Sequence, residues 1–278
     1  MDILSLIGLV MAFVCVMTAM VLDGGSLASL LQLPALIIVG GGTVGAALLQ
    51  TPLPVFMLGL RMLPWVFFPP ADDRQQLLQD AVGWLRIARR QLVLALDPVA
   101  EQQNDPFIRQ GLRMVVDGIE AAQIRALLEA SIANQEHEET LAGEIFEAMG
   151  GYAPTIGILG AVIGLITVMS HLEDPSKLGS GIATAFVATV YGVGAANLIC
   201  LPIANKLKVL IRRRMRRLEM ITEAMVGIAI MEPPMQFEMR LRSFLDRADM
   251  PAAQEEDNGA AAPPQSESEN ENESLAAG

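Results

Sequence analysis

The sequence predicts an all-α integral membrane protein, with four transmembrane helices and a helical cytoplasmic domain. Three observations carry that reading. Four stretches, 3–22, 33–49, 152–170 and 179–202, are apolar and contain no Asp, Glu, Lys or Arg; each approaches the roughly 20 residues a helix needs to cross a hydrocarbon core. Basic residues gather beside two ends of these stretches and avoid the turns between them. Elsewhere apolar residues recur at spacings of three and four, and no useful length alternates with the period of a strand.

The first stretch lacks a basic leading region and a small-residue cleavage site, so it reads as a membrane helix and not as a signal peptide. The turn at 23–32 holds no Lys or Arg, whereas Arg61, Arg74, Arg86, Arg89 and Arg90 follow the second stretch. The turn between the third and fourth has only Lys177, against Glu173 and Asp174, while seven Lys or Arg residues crowd 206–217. Positive charge stays on the cytoplasmic side. The N-terminus, the long middle segment and the C-terminus are therefore expected inside the cell, with two short turns outside. Cys15 and Cys200 fall within spans, where they read as small buried apolar residues and not as a disulfide framework.

The chain divides into spans 1 and 2 (1–50), a cytoplasmic helical domain (51–149), a membrane hairpin (150–205), cytoplasmic C-terminal helices (206–250) and a tail (251–278). In the middle domain Leu77, Ala81, Leu85, Ala88, Leu92 and Leu96 line one helical face. Asp97-Pro98 is expected to end that helix, because proline disfavours helical angles in the residue before it. A second helix is expected to bury Ile124, Leu127, Leu128 and Ile132 before a polar patch at 136–139. The tail has seven acidic residues and no basic one, which accounts for -7 of the net charge of -12. It has too little apolar surface to offset its ordering entropy and reads as disordered.

Several chemistries find no support. Gly40–Gly45 matches the spacing of a dinucleotide-binding glycine motif, but it lies inside a membrane stretch and no acidic residue follows until Asp72. Close packing of small residues is the better reading. No P-loop sequence is present, and His137 and His171 lack the company of other metal ligands. The basic run after the fourth stretch abuts the membrane without interleaved aromatics, so it reads as an anchor and not as a nucleic-acid patch. Neither an enzyme nor a cofactor is expected.

The hairpin remains. Gly157, Gly160, Ala161 and Gly164 form a small-residue stripe on the third span, and Ala183, Thr184, Ala188, Thr189, Gly192, Ala195 and Ala196 do so on the fourth. Such stripes serve tight packing, and their hydroxyls can bond between helices. Alternatively Thr189 faces a wet crevice and touches an ion. Intramembrane ion handling calls for an ionisable group. None of the four spans has one, so a second subunit would supply it. Pro154 and Pro202 read either as helix-boundary residues or as compliant joints between membrane and cytoplasmic parts.

The residues GGYAPTIGILGAVIGLITVM at 150–169 and GIATAFVATVYGVGAANLICLPIANKL at 181–207 resemble the third and fourth spans of the MotA/PomA flagellar stator family. ARRQLVLALD at 88–97 and GLRMVVDG at 111–118 are similar to its middle segment. The resemblance implies a stator subunit of the bacterial inner membrane. Such a subunit is a homopentamer that couples inward ion flux to torque, with a MotB-like, single-span, peptidoglycan-binding partner that supplies an Asp. It implies that Pro154 and Pro202 couple ion passage to movement, and that Thr189 lines the ion path. Ala161 stands where proton-driven members carry Ala and sodium-driven members Thr, which points to H+ as the coupling ion. Arg89 and Asp97 would meet the rotor protein FliG; Asp97 stands where the family has Glu, and the glycine usual between these two charges is replaced within Gln91-Leu92-Val93. The alternative is an energiser of an envelope protein like TolQ or ExbB, but those typically have three spans and resemble this chain only in the last two.

Overall fold

The computed structural model describes residues 3–22, 24, 27–171 and 175–245, and every regular element among them is helical. The acidic tail and part of the turns on either side of the membrane stretches lie outside the described residues. Helix α1 is Ile3–Leu22. The second membrane stretch begins as α2, Leu33–Leu36, widens into a π-helical turn at Ile37–Gly41, and continues as α3, Gly42–Gln50. Short helices follow: α4, Leu53–Met62; α5, Arg74–Gln91; α6, Asp97–Gln102; and α7, Pro106–Val116. Two long rods complete the frame. Helix α8 is Ala121–Met169, 49 residues, which is about 74 Å at 1.5 Å per residue. Helix α9, Pro175–Gly194, runs through a π-helical turn, Ala195–Cys200, into α10, Leu201–Ala229, with helical angles maintained at both joins. Helix α11 is Pro234–Arg242.

Three helical stretches, Leu33–Gln50, Ala121–Met169 and Leu178–Ala229, are long and apolar enough to cross a membrane; Leu6–Leu22 within α1 is apolar but shorter. The third membrane stretch is thus the C-terminal part of α8, and the helix continues without interruption across residues 149 and 150. Gly150, Gly151 and Pro154 would weaken an isolated helix there. Packing of Leu201 and Cys200 against Gly150 braces the rod at that level.

The main core joins the parts of α8 and α10 outside the membrane stretches to α5, α6, α7 and α11, and contains Leu85, Leu112, Leu128, Leu207, Met225 and Phe237. Charged clamps fix the helices around it. Arg217 donates from Nε and Nη2 to Asp73 at 2.6 and 2.8 Å and from Nη1 to Asp105 at 2.6 Å. Burial alone pushes the Asp105 carboxyl up, but bonds from Arg217 and from the Phe107 and Ile108 amides hold it below its ordinary value. Arg74 is buried and donates to Asp72 and to the Phe244 carbonyl; the Asp72 carboxyl is lowered chiefly by that hydrogen bond.

The expected helical faces hold with three differences. Helix α5 stops at Gln91, where Leu92 adopts φ 72°, and Asp97-Pro98 opens α6 instead of closing α5. Proline suits the first helical turn, whose N–H groups have no intrahelical acceptor. Leu92 consequently leaves the buried face and is 72% exposed, while Leu96 stays buried from within a 3-10 turn. In α8, Ile124, Leu128 and Ile132 are buried, but Leu127 is half exposed, one position off the stripe. Cys200 is buried, whereas Cys15 is exposed on the outer surface of α1.

Candidate functional site

The hairpin packs backbone to backbone. A Cβ on Gly157 would stand 2.8 Å from the Ala188 carbonyl oxygen; on Gly164, 2.8 Å from the Ala185 nitrogen; on Gly192, 2.5 Å from the Ala153 carbonyl oxygen. The glycines of the two stripes are therefore required by contact: no larger side chain fits unless the rods part. The same does not apply to the glycine run of the second stretch. Gly42 meets Ile156, but Gly40, Gly41 and Gly45 have open space around them.

This packing places the polar position. Ala188 sits against Gly160, and Gly157 against the Cα of Thr189. Ala161 and Thr189, each the next residue along from a partner in the Gly160–Ala188 contact, therefore stand at one level of the hairpin, both half-buried. The Thr189 hydroxyl donates only a long bond, 3.4 Å, to the Ala185 carbonyl of its own helix. It remains able to take a better partner. No charged side chain belongs to this level, so any charge handled there must come from another chain or from solution.

The two prolines weaken adjoining turns of the two rods. Pro154 lies inside α8 and is half-buried; having no N–H, it leaves the Gly150 carbonyl without its usual donor. Pro202 is exposed in the first turn of α10 and leaves the Leu198 carbonyl in the same state, directly after the π-helical turn. Gly150 packs on Leu201 and Cys200. The proline-weakened turns of both rods thus adjoin, between the Ala161–Thr189 level and the main core. Neither proline ends a helix.

Below them, the basic run is built into the fold. Lys208 pairs with Glu147 at 2.5 Å, Arg214 pairs with Glu139 and lies over the Trp65 ring, and Arg217 holds α5 and α7. Glu139 is buried, and burial pushes its carboxyl above the ordinary range despite Arg214. Among the described residues its Oε2 and the Gln135 Oε1 have no hydrogen-bond partner.

The expected rotor-facing residues are exposed at the far end. Arg89 lies in the last turn of α5 and Asp97 in the first turn of α6, with the Leu92 turn between them. One guanidinium N–H of Arg89 donates to the Glu232 carbonyl at 3.1 Å.

Some polar groups were not legible as site residues. The Tyr191 hydroxyl donates to the Leu30 carbonyl, tying the fourth stretch to the turn before the second. The Tyr152 hydroxyl donates to Gln50 at 2.6 Å. Asn197, within the π-helical turn, is exposed and donates to the Val193 carbonyl at 3.0 Å. Each follows from tertiary position, which spacing along one helix does not reveal. Among the described residues no group of three or more His, Cys, Asp or Glu could hold a metal ion.

An uncharged, closely packed pair of membrane helices, continuous with a charged helical domain, defines a membrane protein suited to ion-coupled movement. Residues 99–220 match the model of the MotA/TolQ/ExbB proton channel family, and residues 6–89 the motility protein A N-terminal model. Motility protein A of Bacillus subtilis is 34% identical over 254 residues, covering 90% of this chain and 93% of that protein. Chemotaxis protein PomA of Vibrio alginolyticus is 29% identical over 246 residues, covering 88% and 96%. The C. jejuni MotAB structure superposes with a TM-score of 0.84 at 28% identity, over 90% of this chain and 98% of that one. The flagellar MotAB stator complex from Bacillus subtilis gives 0.78 at 32%, over 92% and 98%. The chain belongs to the MotA/TolQ/ExbB proton channel family, as one of its flagellar stator subunits.

Proposed function

We propose that this chain forms the wall and the moving ring of a proton-driven stator in the bacterial inner membrane, with four spans and both termini in the cytoplasm. Five copies surround two single-span partners of the MotB kind, a partner suggested by the MotAB complexes it resembles. The observation that carries the reading is the uncharged Ala161–Thr189 level, a polar position with no ionisable group of its own.

The partner's Asp would take up a proton beside Thr189. Neutralisation removes the penalty for holding a carboxylate in the membrane interior and lets the ring step past the partner. Each proton crossing 100 mV releases about 2.3 kcal/mol. The step reaches the cytoplasm through α8 and the α9–α10 rod. Each carries a proline in adjoining turns, where missing backbone hydrogen bonds lower the cost of bending. Beyond those turns the clamps at Arg214 and Arg217 make the cytoplasmic helices move as one body. Arg89 and Asp97 then engage the rotor protein FliG through exposed charges, which favour fast and repeated contact. Ala161 in place of a hydroxyl supports H+ over Na+.

Replacing Thr189 by Ala is the direct test. Swimming should fall severely while the complex assembles in normal amount. Undiminished swimming with normal assembly would remove Thr189 from the ion path.

A further inference from the structure

Helix α11 is apolar on two opposite faces. Phe237 and Leu241 are fully buried against the core, while Met235 and Met239, one turn apart on the other side, are 80% and 63% exposed. A helix needs one apolar stripe to dock on its own domain; a second, outward stripe asks for a second partner. Lipid is an unsuitable occupant. Pro202 and Ala229 are separated by most of α10, about 40 Å at 1.5 Å per residue, and α11 follows Ala229.

The charges beside this stripe indicate what covers it. On α11 and the corner before it, Glu238 is taken by Arg242, and Glu232 by Arg240. Arg89 reaches the Glu232 carbonyl, which brings the end of α5 to the same corner. There Arg86, Arg89 and Arg90 are exposed, and no ion pair neutralises them among the described residues; Asp97 stands exposed at the start of the next helix. Leu92 projects from the same turn, 72% exposed, with φ 72° and ψ 163°. That region is almost reserved for glycine, and strain of this kind collects where a surface is used.

We propose that Met235, Met239 and Leu92 form the apolar half of the rotor-docking face, beside the cationic half at Arg86, Arg89 and Arg90. The occupant is an acidic protein surface with an apolar patch among its carboxylates. The inference rests on the stator reading above and adds to it a contact that salt does not screen. Arginines attract the partner at a distance and lose that attraction as ionic strength rises. Methionine thioethers, unbranched and adaptable, keep contact as the partner slides past.

The test uses the full chain with its partner subunit in cells, tagged with a fluorescent protein, and measures dwell time of the stator at the motor over a range of ionic strength. Met235→Ser with Met239→Ser should shorten dwell about tenfold, the loss for roughly 1.4 kcal/mol of contact, at low and high ionic strength alike. Arg89→Gln should instead flatten the salt dependence. Size of the detergent-solubilised complex is read in parallel. Unchanged dwell in the methionine variant overturns the proposal. So does a complex that falls apart, since the face would then belong to a second copy of this chain. Failure of the stator reading is seen separately, as a wild-type chain that never gathers at motors.

Discussion

Two glycines half a turn apart in the fourth membrane stretch should respond oppositely to the same substitution. A Cβ at Gly192 would lie 2.5 Å from the Ala153 carbonyl oxygen, 3.0 Å from the Gly157 Cα and 3.2 Å from the Ala153 carbonyl carbon. All three are backbone atoms, so no side chain can swing aside. Relief requires the rods to part by nearly 1 Å, which also loosens the Gly157–Ala188 and Gly160–Ala188 contacts. Overpacking of this kind costs about 1–3 kcal/mol. At Gly194 nothing lies within 4 Å of the added methyl, and alanine gains up to about 1 kcal/mol in helix propensity. The thermal midpoint of the detergent-solubilised protein should drop for Gly192→Ala and hold or rise for Gly194→Ala. Swimming should fall only in the first. Adding Ala153→Gly should not rescue Gly192→Ala, because the obstacle is a carbonyl. Equal effects at the two positions, or rescue by that second change, would refute the backbone-contact account of the hairpin.

Two further outcomes follow from the charged helical domain. Leu92→Gly releases a strained backbone and loses almost no burial, so the unfolding free energy should rise by about 1–2 kcal/mol. Dwell at the motor should shorten in the same variant, as the docking proposal requires. Glu139 supplies a pH test. Burial raises its folded-state value, so its contribution to stability is fully present below the ordinary carboxylate value of 4.5 and is lost as pH rises through the raised one. Glu139→Gln cannot ionise; its stability relative to the wild type should climb across that window and level off above it. A flat difference in midpoint from acid to neutral pH would contradict the desolvation of Glu139.

Much of this was readable before any coordinates. Uninterrupted apolar length and the avoidance of basic residues located the membrane stretches, and small residues at threes and fours located the hairpin contact that Gly157, Gly164 and Gly192 make. The end of α5 was not readable there. Leu92 continues the apolar spacing, and no propensity rule places leucine at positive φ; only the glycine missing from the family pattern hinted at it. The π-helical turns at Ile37–Gly41 and Ala195–Cys200 also left no trace in composition, being set by how the rods pack. Pro154 read as a possible helix boundary, yet α8 persists through it, braced where Gly150 meets Leu201 and Cys200. Glu139 lay in a stretch that looked uniformly polar, and its burial depends on Arg214 arriving from a distant part of the chain.

Rotation driven by a controlled ion gradient tests the central claim most directly. Tethered cells would carry this chain and its partner subunit as their sole stator, and rotation speed would be recorded while the proton gradient is varied without sodium. Speed should rise with the proton gradient, vanish with a protonophore, ignore added sodium, and be lost when the partner's Asp is replaced by Asn. Rotation that follows the sodium gradient would overturn the proton reading drawn from Ala161, and rotation that survives the loss of that carboxylate would contradict an uncharged hairpin that borrows its charge from a partner.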